Sequence, residues 1–76
     1  MAKLKTVDAR GAYCPGPLME LIAAIKLVEI GDDIEVLSSD KGSAADIPEW
    51  VAKVKHKMVG IKEVDDHWSI VVKKMK

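Results

Sequence analysis

Residues 15–37 read PGPLMELIAAIKLVEIGDDIEVL, and their pattern decides the fold. Leu18, Leu21, Ile22, Ile25 and Val28 recur at the i, i+3, i+4 and i+7 spacing of an amphipathic helix, which predicts a helix over Pro15–Ile30. Gly31 reads as the residue just past its C-terminus. Asp32-Asp33 then marks a turn, and Ile34–Leu37 is a compact apolar strand. Upstream, Leu4–Asp8 reads as a short strand with Leu4, Thr6 and Asp8 on one side and Lys5 and Val7 on the other. Ala9–Cys14, with Gly11, reads as a loop. A strand, a helix and a second strand in this order make a parallel pair with a right-handed crossover.

Downstream, Ser38–Gly42 is a polar loop. Ile47, Trp50, Val51, Val54 and Met58 then give a second helical stripe. Ser43 with Asp46, or Asp46 with Glu49, supplies a capping box, which would put Pro48 in the tolerated first turn. Asp46-Ile47-Pro48 is thus read as a helix-start device. Met58–Val64 and Trp68–Lys73 are two strands linked by Asp65-Asp66-His67. Their alternation is imperfect, because Val71 and Val72 are adjacent. Trp50 and Trp68 are expected in the core. The order is βαβαββ, and the economical packing is a two-layer α/β sandwich: a four-stranded mixed sheet with two helices on one face. All of residues 1–76 form a single domain.

Composition narrows the function. The chain has 76 residues, 49% of them apolar, enough for one modest core. Its one cysteine cannot make an intramolecular disulfide, and Cys14, His56 and His67 lie at spacings unsuited to a zinc site. No metal or bound cofactor is expected. Twelve basic residues balance twelve acidic ones, which argues against a polyanion binder acting through net charge. The charge is unevenly spread. Residues 1–40 carry four basic and seven acidic side chains, and residues 41–76 carry eight and five. This is either a charged, solvated surface or a dipolar molecule that docks a partner with one face. The lysine-rich half, Lys53, Lys55, Lys57, Lys62, Lys73, Lys74 and Lys76, is open to the same two readings. No apolar run reaches the ~20 residues of a membrane span, and no signal peptide is visible. A cytoplasmic setting without a membrane partner is expected, and a lone thiol fits a reducing compartment.

The chemically distinctive stretch is Asp8-Ala9-Arg10-Gly11-Ala12-Tyr13-Cys14-Pro15-Gly16-Pro17-Leu18. Proline favours the first position of a helix, so Cys14 before Pro15 is the natural N-cap. There its sulfur faces free N–H groups and the positive end of the helix dipole, which favour a thiolate. Pro15 and Pro17 remove two of those donors, so the expected shift is moderate and the sulfur accessible. Gly16 keeps the approach open, and the two prolines stiffen the entrance. A free cysteine is otherwise a small buried hydrophobe. Arg10 pairs with Asp8 or another carboxylate, or helps hold an anion on the sulfur. His56 and His67 read as solvated surface residues, not as general bases. A cysteine hydrolase needs a base and an oxyanion site, whereas a thiol that passes a group between proteins needs neither.

Asp8-x-Arg10-Gly11-x-x-Cys14-Pro15-x-Pro17-Leu18, followed by Ser43-x-x-Asp46-Ile47-Pro48-x-Trp50, resembles the TusA/SirA family of small sulfur-carrier proteins across essentially the whole chain. The resemblance implies a βαβαββ sandwich. It also implies that Cys14 accepts sulfane sulfur as a persulfide, or carries a thiosulfonate, with Arg10, Gly11, Pro15, Gly16 and Pro17 in support. It implies two protein partners. The donor is a cysteine desulfurase or rhodanese-like protein, and the acceptor a DsrE-like protein or thiolation enzyme. The sulfur ends in tRNA 2-thiouridine, molybdenum cofactor or a sulfur-oxidation route. Some members carry arginine directly before the cysteine. This chain has Tyr13 there, which bears on partner choice. Two other readings stay open. One is a small nucleic-acid-binding module using the basic half, although three aromatics offer few stacking platforms and disfavour direct binding. The other is a redox-regulatory domain acting through Cys14.

Overall fold

The computed structural model describes residues 3–11 and 16–76. The elements are β1 (Leu4–Asp8), α1 (Gly16–Ile25), β2 (Asp33–Ser38), α2 (Lys41–Lys53), β3 (Lys57–Val64) and β4 (His67–Lys73). They form one four-stranded sheet in the order β1-β2-β4-β3. β1 pairs with β2 in parallel, and β4 is antiparallel to both β2 and β3. β3 therefore runs the same way as β2, and β4 returns between them. The expected two-layer βαβαββ sandwich is the observed fold.

The strand registers assign the two faces of the sheet. Ile34 and Val36 stand opposite Val72 and Ile70, and all four are completely buried. They pack under Leu21, Ala24 and Ile25 of α1 and Ile47 and Val51 of α2. Trp50 and Trp68 are half-buried against this cluster, so both are peripheral to the core. The other face carries Leu4 and Thr6 on β1, Glu35 and Leu37 on β2, and Ser69 and Val71 on β4. There the Glu35 carboxylate accepts from Thr6 Oγ1 at 3.1 Å and from Ser69 Oγ at 2.5 Å, tying three strands together. The adjacent valines now have an explanation. Val72 faces the helices opposite Met58, while Val71 faces outward opposite Gly60. The extra residue between those partners, Val59, is a β-bulge.

Several element boundaries differ from the sequence reading, and because α2 ends at Lys53, Val54 and Met58 of the expected helical stripe lie outside it, Met58 in β3. α1 stops at Ile25 and not at Ile30. Leu27 N–H bonds the Ala24 carbonyl at 2.9 Å, tightening the chain into a turn. Asp32 holds that turn, because its carboxylate accepts from Glu29 N–H at 3.1 Å and Lys3 N–H at 3.2 Å. Val28 still packs on the core, so the apolar period outlasts the helix. Gly31, with φ of 95°, turns the chain into β2 and donates to the Lys74 carbonyl at 2.7 Å, so it is not the helix C′ residue. α2 begins at Lys41, earlier than the anticipated capping box. Its N-cap is Asp40, whose carboxylate accepts from Gly42 N–H at 3.3 Å and from the buried Ser43 hydroxyl at 3.0 Å. Pro48 consequently lies inside the helix, and Asp46-Ile47-Pro48 is not its start. A proline there deprives the Ala44 carbonyl of its usual i+4 donor. The link between β3 and β4 is Asp65-Asp66 alone, Asp65 having a φ of 50°, and His67 belongs to β4.

Replacing an aspartate N-cap with alanine costs about 1 kcal/mol, while asparagine preserves most of the effect. Urea unfolding should therefore rank wild type and Asp40→Asn together and Asp40→Ala below them. Equal stability of the alanine and asparagine variants would remove Asp40 as the cap.

Candidate functional site

The distinctive stretch leaves the sheet at the C-terminal ends of β1 and β2. Ala9 continues the ladder, donating to the Leu37 carbonyl at 2.8 Å, and is buried. At Arg10 the chain turns, and the turn is held by Asp8. Arg10 Nε donates to Asp8 Oδ1 at 2.9 Å, Nη2 donates to Oδ2 at 2.8 Å, and the backbone N–H donates to Oδ1 at 3.1 Å. Of the alternatives open for Arg10, the Asp8 pairing is the one formed. Both side chains remain about half exposed. This bidentate clamp, chiefly through its side-chain hydrogen bonds, lowers the Asp8 carboxyl to about 2 and raises the guanidinium.

Gly11 follows with φ of 88°, a left-handed conformation that only glycine adopts without strain. Its N–H donates to Ser39 Oγ at 2.9 Å, fastening the loop after β1 to the loop after β2. Ser39 is a tether that sequence reading missed, since a serine in a polar loop carries no distinguishing signal. On the far side, α1 begins at Gly16, and Pro17 is buried. Cys14 and Pro15, with Tyr13, lie outside the described residues. What the structure fixes is the frame on either side of them: Gly11 tied to Ser39, and Gly16-Pro17 opening a helix seated on the core.

Other groups gather at the same end. The β3–β4 turn brings Asp66 and His67 toward Arg10 and Asp8, whose charges they influence. His67 Nδ1 lies 3.1 Å from Asp66 Oδ1 and its side chain is only 15% exposed, so it is less solvated than expected. The hydrogen bond from His67 is the main reason the Asp66 carboxyl is lowered. His56 sits at the opposite end, half-buried, where its Nδ1 accepts from Met75 N–H at 3.1 Å. Burial first, then Lys74 and Lys76, push its pKa down. The two histidines are thus at opposite ends of the molecule. Between the first turn of α1 and α2, Leu18, Asp46, Glu49, Trp50 and Lys53 line a shallow cavity of about 240 Å³. Among the described residues, no group of three or more His, Cys, Asp or Glu side chains is placed to hold a metal ion.

The profile of the TusA sulfurtransferase family matches residues 5–74, which include the whole Asp8–Leu18 stretch. The chain belongs to the TusA family. Its relatives carry the same implication. A protein of Archaeoglobus fulgidus named as a candidate sulfur carrier is 63% identical over 70 residues, covering 92% of this chain and 96% of that one. The sulfur carrier protein TusA of Pseudomonas entomophila is 31% identical over 58 residues, covering 76% and 72%. The crystal structure of a SirA-like protein from Desulfitobacterium hafniense superposes with a TM-score of 0.82 at 21% identity, over 96% of this chain and 99% of that one, and shares the fold. A sulfur-carrier role is what the TusA-family match and these names support.

The clamp beside the loop gives a direct test. Asp8 has a folded-state pKa below its ordinary value of 3.8, so its stabilising contribution is complete above that pH and is lost as pH falls through about 2. In Arg10→Gln, a carboxyl NMR titration should find Asp8 moved back toward 3.8. The stability gap between wild type and variant should be constant above pH 3.8 and close as the pH falls through about 2. An unmoved Asp8 titration would mean that the clamp does not set its pKa.

Proposed function

We propose that Cys14 is the acceptor thiol of this TusA-family carrier and that its cargo is sulfane sulfur held as a persulfide. The observation that carries the reading is the Cys14-Pro15-x-Pro17 motif set in a frame anchored on both sides, by the Gly11–Ser39 tether and by α1. In the loading step the Cys14 thiolate attacks the terminal sulfur of a donor persulfide. The new S–S bond forms on Cys14, the donor's S–S bond breaks, and the donor thiolate leaves, with no net oxidation. Unloading repeats the exchange with an acceptor thiolate. The chain has no second cysteine, so a persulfide on Cys14 has no internal thiol to attack it and waits for a partner. Arg10, clamped on Asp8, supports the reading by fixing the turn that leads into the loop.

The donor is a cysteine desulfurase or rhodanese-like protein, and the acceptor is a DsrE-like protein or thiolation enzyme. The reducing cytoplasm, which keeps a lone thiol available, is the setting. Incubation with a cysteine desulfurase and cysteine, or with a rhodanese and thiosulfate, should add about 32 Da to the intact mass as one sulfur atom, reversibly by reductant. Cys14→Ser should gain nothing. A heavier adduct on Cys14 would make the cargo a thiosulfonate. If several donors leave Cys14 unmodified while an alkylating reagent reaches it, the carrier assignment fails.

A further inference from the structure

Both helices start at the end that carries the Gly11 loop and finish at the opposite end. That opposite end collects lysines from four places in the chain. Lys3 precedes β1, and Lys26 follows α1. Lys53, Lys55 and Lys57 lie where α2 passes into β3. Lys73, Lys74 and Lys76 close β4 and its tail. Hydrogen bonds join these segments into one surface. Lys74 N–H donates to the Asp32 carbonyl at 2.9 Å, Gly31 N–H donates to the Lys74 carbonyl at 2.7 Å, and Met75 N–H donates to His56.

The acids at this end are Glu29, Asp32 and Asp33, leaving a formal excess of five positive charges. Asp32 is turned onto the backbone N–H groups of Lys3 and Glu29, and Asp33 pairs with Lys73 at 3.3 Å. The loop end is the reverse, with Asp8, Asp40, Glu63, Asp65 and Asp66 against Arg10 and Lys41. Folding thus sorts charges from both halves of the chain into a dipole along the molecule. Apolar groups protrude at the basic pole as well. Leu27 is 78% exposed, Ile30 68% and Met75 47%, the first two being the most exposed large hydrophobic residues among those described.

We propose that this pole docks on an anionic lipid surface, with head-group phosphates facing the lysines and Leu27 and Ile30 entering the acyl boundary. A nucleic-acid backbone would meet the lysines but offer nothing to Leu27 and Ile30, and the Trp50 ring, half-buried against His56, is a poor stacking platform. Protein interfaces favour arginine and aromatic side chains and are depleted in lysine, which supplies the cationic side chains described at this pole. Diffuse lysine charge with protruding aliphatic groups is the combination that adsorbs to anionic bilayers. The sequence excludes a membrane-spanning run, and no described helix is long and apolar enough to cross, but surface adsorption needs no span. Docked this way, Gly11 and Gly16 lie at the end away from the bilayer.

Sedimentation with phosphatidylglycerol vesicles, in parallel with phosphatidylcholine vesicles and with tRNA, tests the inference. Binding to phosphatidylglycerol should exceed that to phosphatidylcholine and weaken with added salt. The Lys26→Glu/Lys57→Glu variant should lower the partition coefficient by at least roughly thirtyfold, about fivefold for each lysine removed before the repulsion of the two new carboxylates is added. Lys41→Glu, at the acidic end, should leave it unchanged. Leu27→Ser/Ile30→Ser should weaken binding at constant charge, with far-UV circular dichroism confirming that each variant is folded. Absent binding at low salt, equal binding to both lipids, or indifference to the charge reversal would overturn the proposal. So would tRNA binding stronger than vesicle binding and untouched by Leu27→Ser/Ile30→Ser. Sulfur loading of Cys14 is measured separately and stands or falls on its own.

Discussion

The contact between the two central strands and the two helices is the constraint on which this domain depends. Ile34, Val36, Ile70 and Val72 present one completely buried surface, and Leu21, Ile47 and Val51 cover it. A 76-residue chain with one cysteine has no internal disulfide to constrain its unfolded state. Burial of apolar area across this single layer boundary must therefore supply most of the favourable free energy. The hydrogen bonds that shape the ends of the sandwich act on elements already located by that contact.

Much of this was legible because it is written in periodicity. The stripe of Leu18, Leu21 and Ile25 and the alternation of Ile34 and Val36 identify the two layers and the parallel pair between them. What the pattern could not supply was the ends of elements, which long-range partners decide. Asp32 ends the turn after α1 by gripping Lys3, 29 residues away in sequence. Asp40 starts α2 because Ser43 folds its hydroxyl back onto it, a choice that competes with the equally plausible Ser43–Asp46 box. The adjacent valines looked like a flaw in a strand until the bulge at Val59 showed that β4, a central strand, is apolar on both faces.

The site divides along the same line. The proposed thiol, Cys14, and the Gly11 loop were named from motif and spacing, and the Asp8 pairing was one of the options open for Arg10. Ser39, Asp66 and His67 were not assigned to this end, because they come from the loop after β2 and the β3–β4 connection and only the topology brings them here. The frame on either side of the motif is accordingly a property of the sheet: the loops after β1 and β2 are joined by the Gly11–Ser39 bond, and the β3–β4 turn lies at the same end. This suits the proposed exchange with a second protein, in which the flanking structure holds steady while one sulfane sulfur passes on and the Cys14 thiolate stays behind.

The placement of β4 has a consequence for how the chain is made. It is the last strand in sequence, yet it lies between β2 and β3. While the polypeptide is being synthesised, β1 and β2 can pair around α1, but β3 has no strand to pair with until β4 has left the ribosome. Half of the buried sheet surface, Ile70 and Val72, arrives with the same segment. The nascent chain therefore passes through a stage with an open β2 edge and an uncovered apolar layer. Closure of the sheet waits for β4, a single late insertion that completes both halves at once.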